Sequence, residues 1–186
     1  YSNAGMYFQL RGDFAAALDC YAKNGNHAKV SELLTEHARL HPGQGAYYQL
    51  RGYYRSLPEQ EILSSPALMS GMSILCSLTF DVEGAETWYN ALRTYAEGLG
   101  RRTHDYGEVW GMVRYLDIVL PHRGSVNLKD ILLAAADQLK KGSIRLPEVS
   151  VTSNLPSVLR GGKDFSAWVP KDRLLYNTIR LPVERM

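Results

Sequence analysis

A small residue followed four positions later by an aromatic occurs twice at a fixed separation, and this recurrence limits the fold more than any other feature of the chain. Ala17 precedes Tyr21 and Ala85 precedes Tyr89, so the alanines and the tyrosines each stand 68 residues apart, as do Phe14 and Val82. Residues four apart share a helix face. An alanine there lets two antiparallel helices approach closely, and the aromatic one turn on fills the gap to the next hairpin. The surrounding sequence keeps the helical period. Val30, Leu33, Leu34 and Leu40 line one face, and Tyr106, Val109, Trp110, Val113 and Leu120 line another. Leu128, Ile131, Leu132, Ala135 and Leu139 line a third, with Asn127 as its N-cap. Before Ser143 almost no segment alternates as a strand would.

The stop signals agree with helices. Gly25 and Gly98 fall where a left-handed C-cap is expected, a conformation that costs glycine nothing. Leu57-Pro58-Glu59 and Ser65-Pro66 read as helix starts, because proline in the first turn forfeits no helical hydrogen bond. The expectation is an all-α chain of helices of about 10–16 residues joined by short turns. Sixty-eight is twice the ~34-residue period of tetratricopeptide repeats. In the first unit Gly5, Phe8, Gly12, Phe14, Ala17 and Tyr21 occupy positions that consensus favours, while nothing clean matches at the intermediate offset, so the array is degenerate. The predicted architecture is a right-handed superhelix of antiparallel helical hairpins over residues 1–142. Its structural positions are Gly12, Phe14, Ala17, Tyr21, Ala85 and Tyr89. Residues 143–186 read as an extended, turn-rich linker and a last helix over 171–181.

Composition narrows the function classes. The chain of 186 residues is 45% hydrophobic and 22% charged, which is globular rather than disordered. With 21 Lys+Arg against 19 Asp+Glu its net charge of +2 gives no electrostatic reason to grip nucleic acid. No apolar run approaches the ~20 residues of a membrane span, and no signal segment opens the chain. Cys20 and Cys76 lie within apolar helical patterns and read as free, buried thiols in a reducing, cytoplasmic setting.

No catalytic, metal or cofactor site is expected. Gly161-Gly162-Lys163 lacks the first glycine and the Ser/Thr of a phosphate loop, so it reads as a turn. His37 and His41 share a helix face beside Glu36, but no third ligand accompanies them. Cys20 reads as a packed thiol rather than a nucleophile, and Arg101-Arg102 as solvated surface. The densest aromatic-basic cluster is Tyr47, Arg51, Tyr54 and Arg55, which one helix would place on one face. Tyrosine and arginine anchor interfaces through rigid area and forked hydrogen bonding. These four are the candidate groove residues for a ligand or partner, against the plainer reading that the tyrosines pack between hairpins. The expectation is a surface for contact and no pocket for chemistry.

Residues 1–97 also resemble the helical-repeat region of the large, MalT-like class of LuxR-type transcriptional regulators. The resemblance rests on Gly12-Asp13, Ala17, Tyr21-Ala22, Gly25-Asn26, Leu33-Leu34, Leu57-Pro58-Glu59, Ser65-Pro66-Ala67-Leu68 and Ala85-Glu86-Thr87-Trp88-Tyr89, in that order. The stretch over 155–168 is similar to one in some bacterial members. The resemblance implies that the chain is a fragment of a longer protein. That parent carries an N-terminal ATPase region, which allows ATP there but no cofactor here, and a C-terminal helix-turn-helix. The module itself is then non-enzymatic. It binds a protein partner, itself or a small-molecule effector, with no direct contact to nucleic acid and no membrane. A stand-alone helical scaffold unrelated to transcription is the alternative, and an all-α enzyme with an unmarked site is a third reading.

Overall fold

The computed structural model describes residues 2–40, 46–120, 122–123, 138, 140 and 142. All regular structure among them is helical: α1 (Ser2–Leu10), α2 (Phe14–Lys23), α3 (His27–Leu40), α4 (Ala46–Gln49), α5 (Arg51–Ser56), α6 (Glu59–Leu63), α7 (Pro66–Leu78), α8 (Val82–Gly98) and α9 (Tyr106–Val119). The expected helix over 128–139, the turn at 41–43 and everything from 143 to 186 lie outside the described residues, apart from Gln138.

The recurrence of 68 residues is a recurrence of one hairpin turn. In the first, Gly12 takes φ +73°, its N–H donates to the Gln9 carbonyl (3.0 Å) and the Asp13 N–H reaches back to the Phe8 carbonyl (2.9 Å). In the second, Phe80 takes φ +61°, its N–H donates to the Ser77 carbonyl (3.1 Å) and the Asp81 N–H to the Cys76 carbonyl (2.9 Å). Both are Schellman closures, which satisfy the last carbonyls of the helix they end. Both aspartates then cap the helix that follows. Asp13 Oδ1 accepts from the Ala16 N–H (3.1 Å) and Asp81 Oδ1 from the Gly84 N–H (2.9 Å). Every one of these atom pairs is shifted by the same 68 residues.

The other helix ends follow local chemistry. Gly25 takes the expected left-handed φ of +66° and closes α2 with a third such turn. Gly98 does not: it is the last residue of α8, and the chain leaves through extended Leu99 (φ −78°, ψ 132°). The reason is packing, because Leu99 is partly buried against the core and a left-handed turn would point the chain elsewhere. Ser65 caps α7, accepting from the Leu68 N–H, with Pro66 in the first turn.

The middle of the chain departs from the expected helix lengths. Between α3 and α7 lie helices of 4, 6 and 5 residues, α4 to α6. Leu50 (φ −86°, ψ 1°) breaks α4 from α5. Leu57 is extended (ψ 138°) and Pro58, which has no N–H to donate, separates α5 from α6. These short pieces wrap α7, which packs against α3, α4, α5, α6, α8 and α9. Its small residues Ser70, Gly71 and Ser73 are buried and allow that close approach, and Ser73 Oγ donates to the Ala85 carbonyl (2.8 Å) where α7 crosses α8. Leu34, Tyr54, Leu68, Leu75, Leu92 and Leu116 are fully buried around it. Ala17 and Ala85 have no exposed surface, while Leu40, expected on the inner face of α3, is exposed.

Candidate functional site

The aromatic-basic cluster is divided by the break at Leu50. Tyr47 on α4 and Tyr54 on α5 are buried, their rings 6.1 Å apart between centroids, whereas Arg51 and Arg55 are exposed. Burial drives both phenols far above the ordinary tyrosine range. Arg51 lies over the exposed ring of Tyr48 (4.4 Å) and donates to the Tyr48 carbonyl (2.9 Å). The four residues therefore do not share one exposed face: two are core and two are solvated.

A different set of side chains comes together where α8 meets the end of α9. Glu86 and Tyr89 lie three apart on α8, and Arg114 and Asp117 three apart on α9, so each pair shares a face. Tyr89 Oη donates to Asp117 Oδ1 (2.7 Å), and Arg114 Nη1 donates to Asp117 Oδ2 (2.9 Å). Just beyond α9, the Arg123 guanidinium covers the Tyr89 ring (3.5 Å to its centroid) and forks onto both carboxylate oxygens of Glu86. His122 Nε2 stands 2.6 Å from Glu86 Oε1, and Arg114 Nε donates to Gln138 Oε1 (2.9 Å).

The electrostatics of this cluster suit a clamp. Arg123, and after it His122, hold the Glu86 carboxyl below its usual range, against the opposing effect of partial burial. Burial, followed by the Asp117 acceptor, pushes Tyr89 up to about 12. An ionised, bidentately held carboxylate is a poor proton acceptor, and a phenol at that value keeps its proton at neutral pH. The arrangement ties α8 to α9 and to the chain just beyond. Cys76 is likewise pushed up to about 11 by burial and then Asp81, which keeps its thiol protonated, whereas Cys20 is only half-buried, not buried as expected.

The structure also holds a half-open surface groove. It encloses about 580 Å³ between α3, the start of α7, the far end of α8 and the start of α9. Glu32, Glu36, Asp105 and Glu108 line it together with Arg39, Tyr95, Val109 and Met112. Arg39 pairs with Glu108 across it at 3.3 Å, and Thr35 Oγ1 meets Ser65 Oγ at 3.1 Å on its wall. Lys29 holds Glu32 from one side (2.7 Å). The lining is net acidic.

Sequence reasoning overlooked both sets. For the clamp, Glu86-x-x-Tyr89 and Arg114-x-x-Asp117 were the available signals, since each is a polar pair at helix-face spacing within an apolar pattern. The groove acids come from separate helices and have no local signature. Among the described residues no helix is long and apolar enough to cross a membrane. Comparison with known proteins matches no family model, no curated protein and no solved structure.

Proposed function

We propose that the chain is a non-enzymatic interaction module built as a tetratricopeptide-like, right-handed stack of helical hairpins, and that it serves a MalT-like, LuxR-type transcriptional regulator. The observation that carries the module reading is the repeated hairpin, with the same turn, cap and buried alanine 68 residues apart. Stacked hairpins present extended surfaces, and small rotations between them sum to a change of shape. The acidic groove is the surface best suited to a partner. An effector that binds one curvature more tightly than another shifts the parent between resting and active forms. The ordered motifs shared with the MalT-like class support the regulatory part.

The coding sequence on either side of the chain tests it. The expected result is an upstream phosphate-loop ATPase region and a downstream helix-turn-helix, with ATP hydrolysis and DNA binding by the purified parent. A parent with neither leaves a stand-alone helical scaffold and removes the link to transcription.

A further inference from the structure

The groove between α3 and α9 brings open apolar side chains and uncompensated charge to one place. Leu40 at the end of α3 and Tyr95 of α8 are 66% and 40% exposed, and both line it beside the buried Val109 and Met112 of α9. Large apolar side chains left open together within a polar rim mark a contact site, whereas scattered ones do not. The acidity is local to the groove. The whole chain carries a net charge of +2, yet this lining sets the carboxylates of Glu32, Glu36, Asp105 and Glu108 against the guanidinium of Arg39. They stand on two sides: Glu32 and Glu36 one turn apart on α3, Asp105 and Glu108 at the start of α9. Glu32 holds the Lys29 ammonium (2.7 Å) and Glu108 the Arg39 guanidinium (3.3 Å), both as solvent-exposed pairs. Asp105 meets the exposed ring of His104 (2.9 Å), and Glu36 has no ion-pair partner among the described residues.

We propose that this groove docks a basic amphipathic segment of a partner protein, its lysine or arginine side chains meeting Glu36 and Asp105 and its apolar side chains covering Leu40 and Tyr95. The proposal deepens the interaction-module reading and rests on it. Charge complementarity names the occupant, because an excess of carboxylates draws cations and repels anions. Arg39 displays the pairing from within the chain. Its guanidinium reaches from α3 to Glu108 on α9, in an exposed pair that an incoming cation can exchange at little cost. Charge alone is an incomplete description of the site. A metal ion or a polyamine would leave Leu40 and Tyr95 in water, whereas an apolar side chain carried beside the cation removes their surface from it. A second copy docked face to face through the groove is a poorer occupant, because a two-fold contact sets each carboxylate row against the same surface. A volume of about 580 Å³ takes a few side chains rather than a domain face, so the contact is a weak and transient one.

The test uses the full chain and a labelled synthetic peptide of two heptads, leucine at i, i+3, i+4 and i+7 and lysine elsewhere, followed by fluorescence anisotropy. Saturable binding that weakens as salt rises supports the proposal, as does its loss when every lysine is replaced by glutamate. Glu36→Gln with Asp105→Asn, both at exposed positions, is expected to keep the wild-type circular dichroism and Tm. It should weaken the peptide about 2–30-fold, since two exposed charge pairs are lost. Leu40→Ser is expected to weaken it at least about threefold. Leu10→Ser, at an open apolar position on α1 outside the groove, should leave it unchanged. No saturable binding, or binding that neither groove variant weakens, overturns the proposal. Equal binding by a peptide with serine for every leucine also overturns it, by reducing the groove to a counterion site. So does sedimentation showing a wild-type dimer that the Glu36→Gln, Asp105→Asn variant abolishes, which would make a second copy the occupant. Failure of the peptide leaves the repeated hairpin and the module reading standing, whereas catalytic turnover by the chain removes both, whatever the peptide does.

Discussion

Replacing Tyr54 by phenylalanine is expected to stabilise the protein. Tyr54 is fully buried, and its hydroxyl has no hydrogen-bond partner among the described residues. An unsatisfied buried hydroxyl costs about 1–3 kcal/mol, and Tyr54→Phe removes it while leaving the ring in place. The vacated volume of one oxygen returns part of that gain, so about 1–2 kcal/mol remains. For a chain of this size that is a rise in Tm of about 2–8 °C. Gly71 supplies a second, coupled measurement. A Cβ there would stand 2.6 Å from Tyr54 Oη and 3.0 Å from Cε1 and Cζ. Gly71→Ala gains about 1 kcal/mol of helix propensity but overpacks by about 1–3 kcal/mol, so it is neutral to destabilising in the wild-type background. Without the hydroxyl the nearest approach relaxes to 3.0 Å, and the same change becomes neutral or favourable. Urea and thermal unfolding of the four proteins, followed by circular dichroism, closes a double-mutant cycle with a coupling of about 1 kcal/mol. A loss of more than about 1 kcal/mol on Tyr54→Phe, with no coupling to Gly71, would refute the reasoning, because the hydroxyl would then be bonded in solution.

Three other changes report on separate parts of the fold. Glu86→Gln is expected to cost about 1–3 kcal/mol by weakening the charge-assisted bonds from Arg123 and His122. The folded Glu86 carboxyl lies below the ordinary value of 4.5, so its contribution is complete above that pH and is lost as pH falls through the lower folded value. The Tm difference between wild type and variant should therefore shrink below pH 4.5, and a difference unchanged down to pH 3 would contradict the clamp. Phe80→Gly removes a left-handed strain of about 1–2 kcal/mol against a glycine entropy cost of about 0.5–1 kcal/mol, so scanning calorimetry should show a small gain. Phe80 is 72% exposed, and a marked loss would mean that its ring is held by contacts worth more than the strain. Ala85→Trp overpacks the crossing of α7 and α8 and is expected to cost about 1–3 kcal/mol by urea unfolding, with a null effect showing that the crossing is not tight.

What was legible in the sequence depended on whether the signal was local. The all-helical character, the proline-marked starts of α6 and α7 and the cap at Gly25 all follow from chemistry within a few residues. The aromatic-basic face was read as one helix through Leu50, whereas the structure starts a new helix there, buries Tyr47 and Tyr54 and leaves Arg51 and Arg55 exposed. Periodicity alone cannot show that the chain breaks there or that Tyr54 turns inward against Gly71. The clamp was hidden for another reason. Glu86 meets Arg123 across 37 residues and Tyr89 meets Asp117 across 28, so only the packing of α8 on α9 brings them together. The strained φ at Phe80 was masked by the repeat itself, since its counterpart Gly12 adopts that conformation freely.

The two copies of the hairpin differ most in how they satisfy the same tyrosine. Tyr21 donates to Gln9 on α1, so the first copy closes its polar chemistry within its own hairpin (3.0 Å). Tyr89 donates to Asp117 on α9, and Arg123 then covers its ring, so the second copy is fastened to its neighbour. An acceptor offsets the cost of burying a phenol, and either arrangement supplies one. Only the second makes the angle between adjacent elements depend on charged bonds, and charged bonds lose geometry sharply when one partner is moved or neutralised. The junction of α8 and α9 is therefore the one that rests on charged side chains.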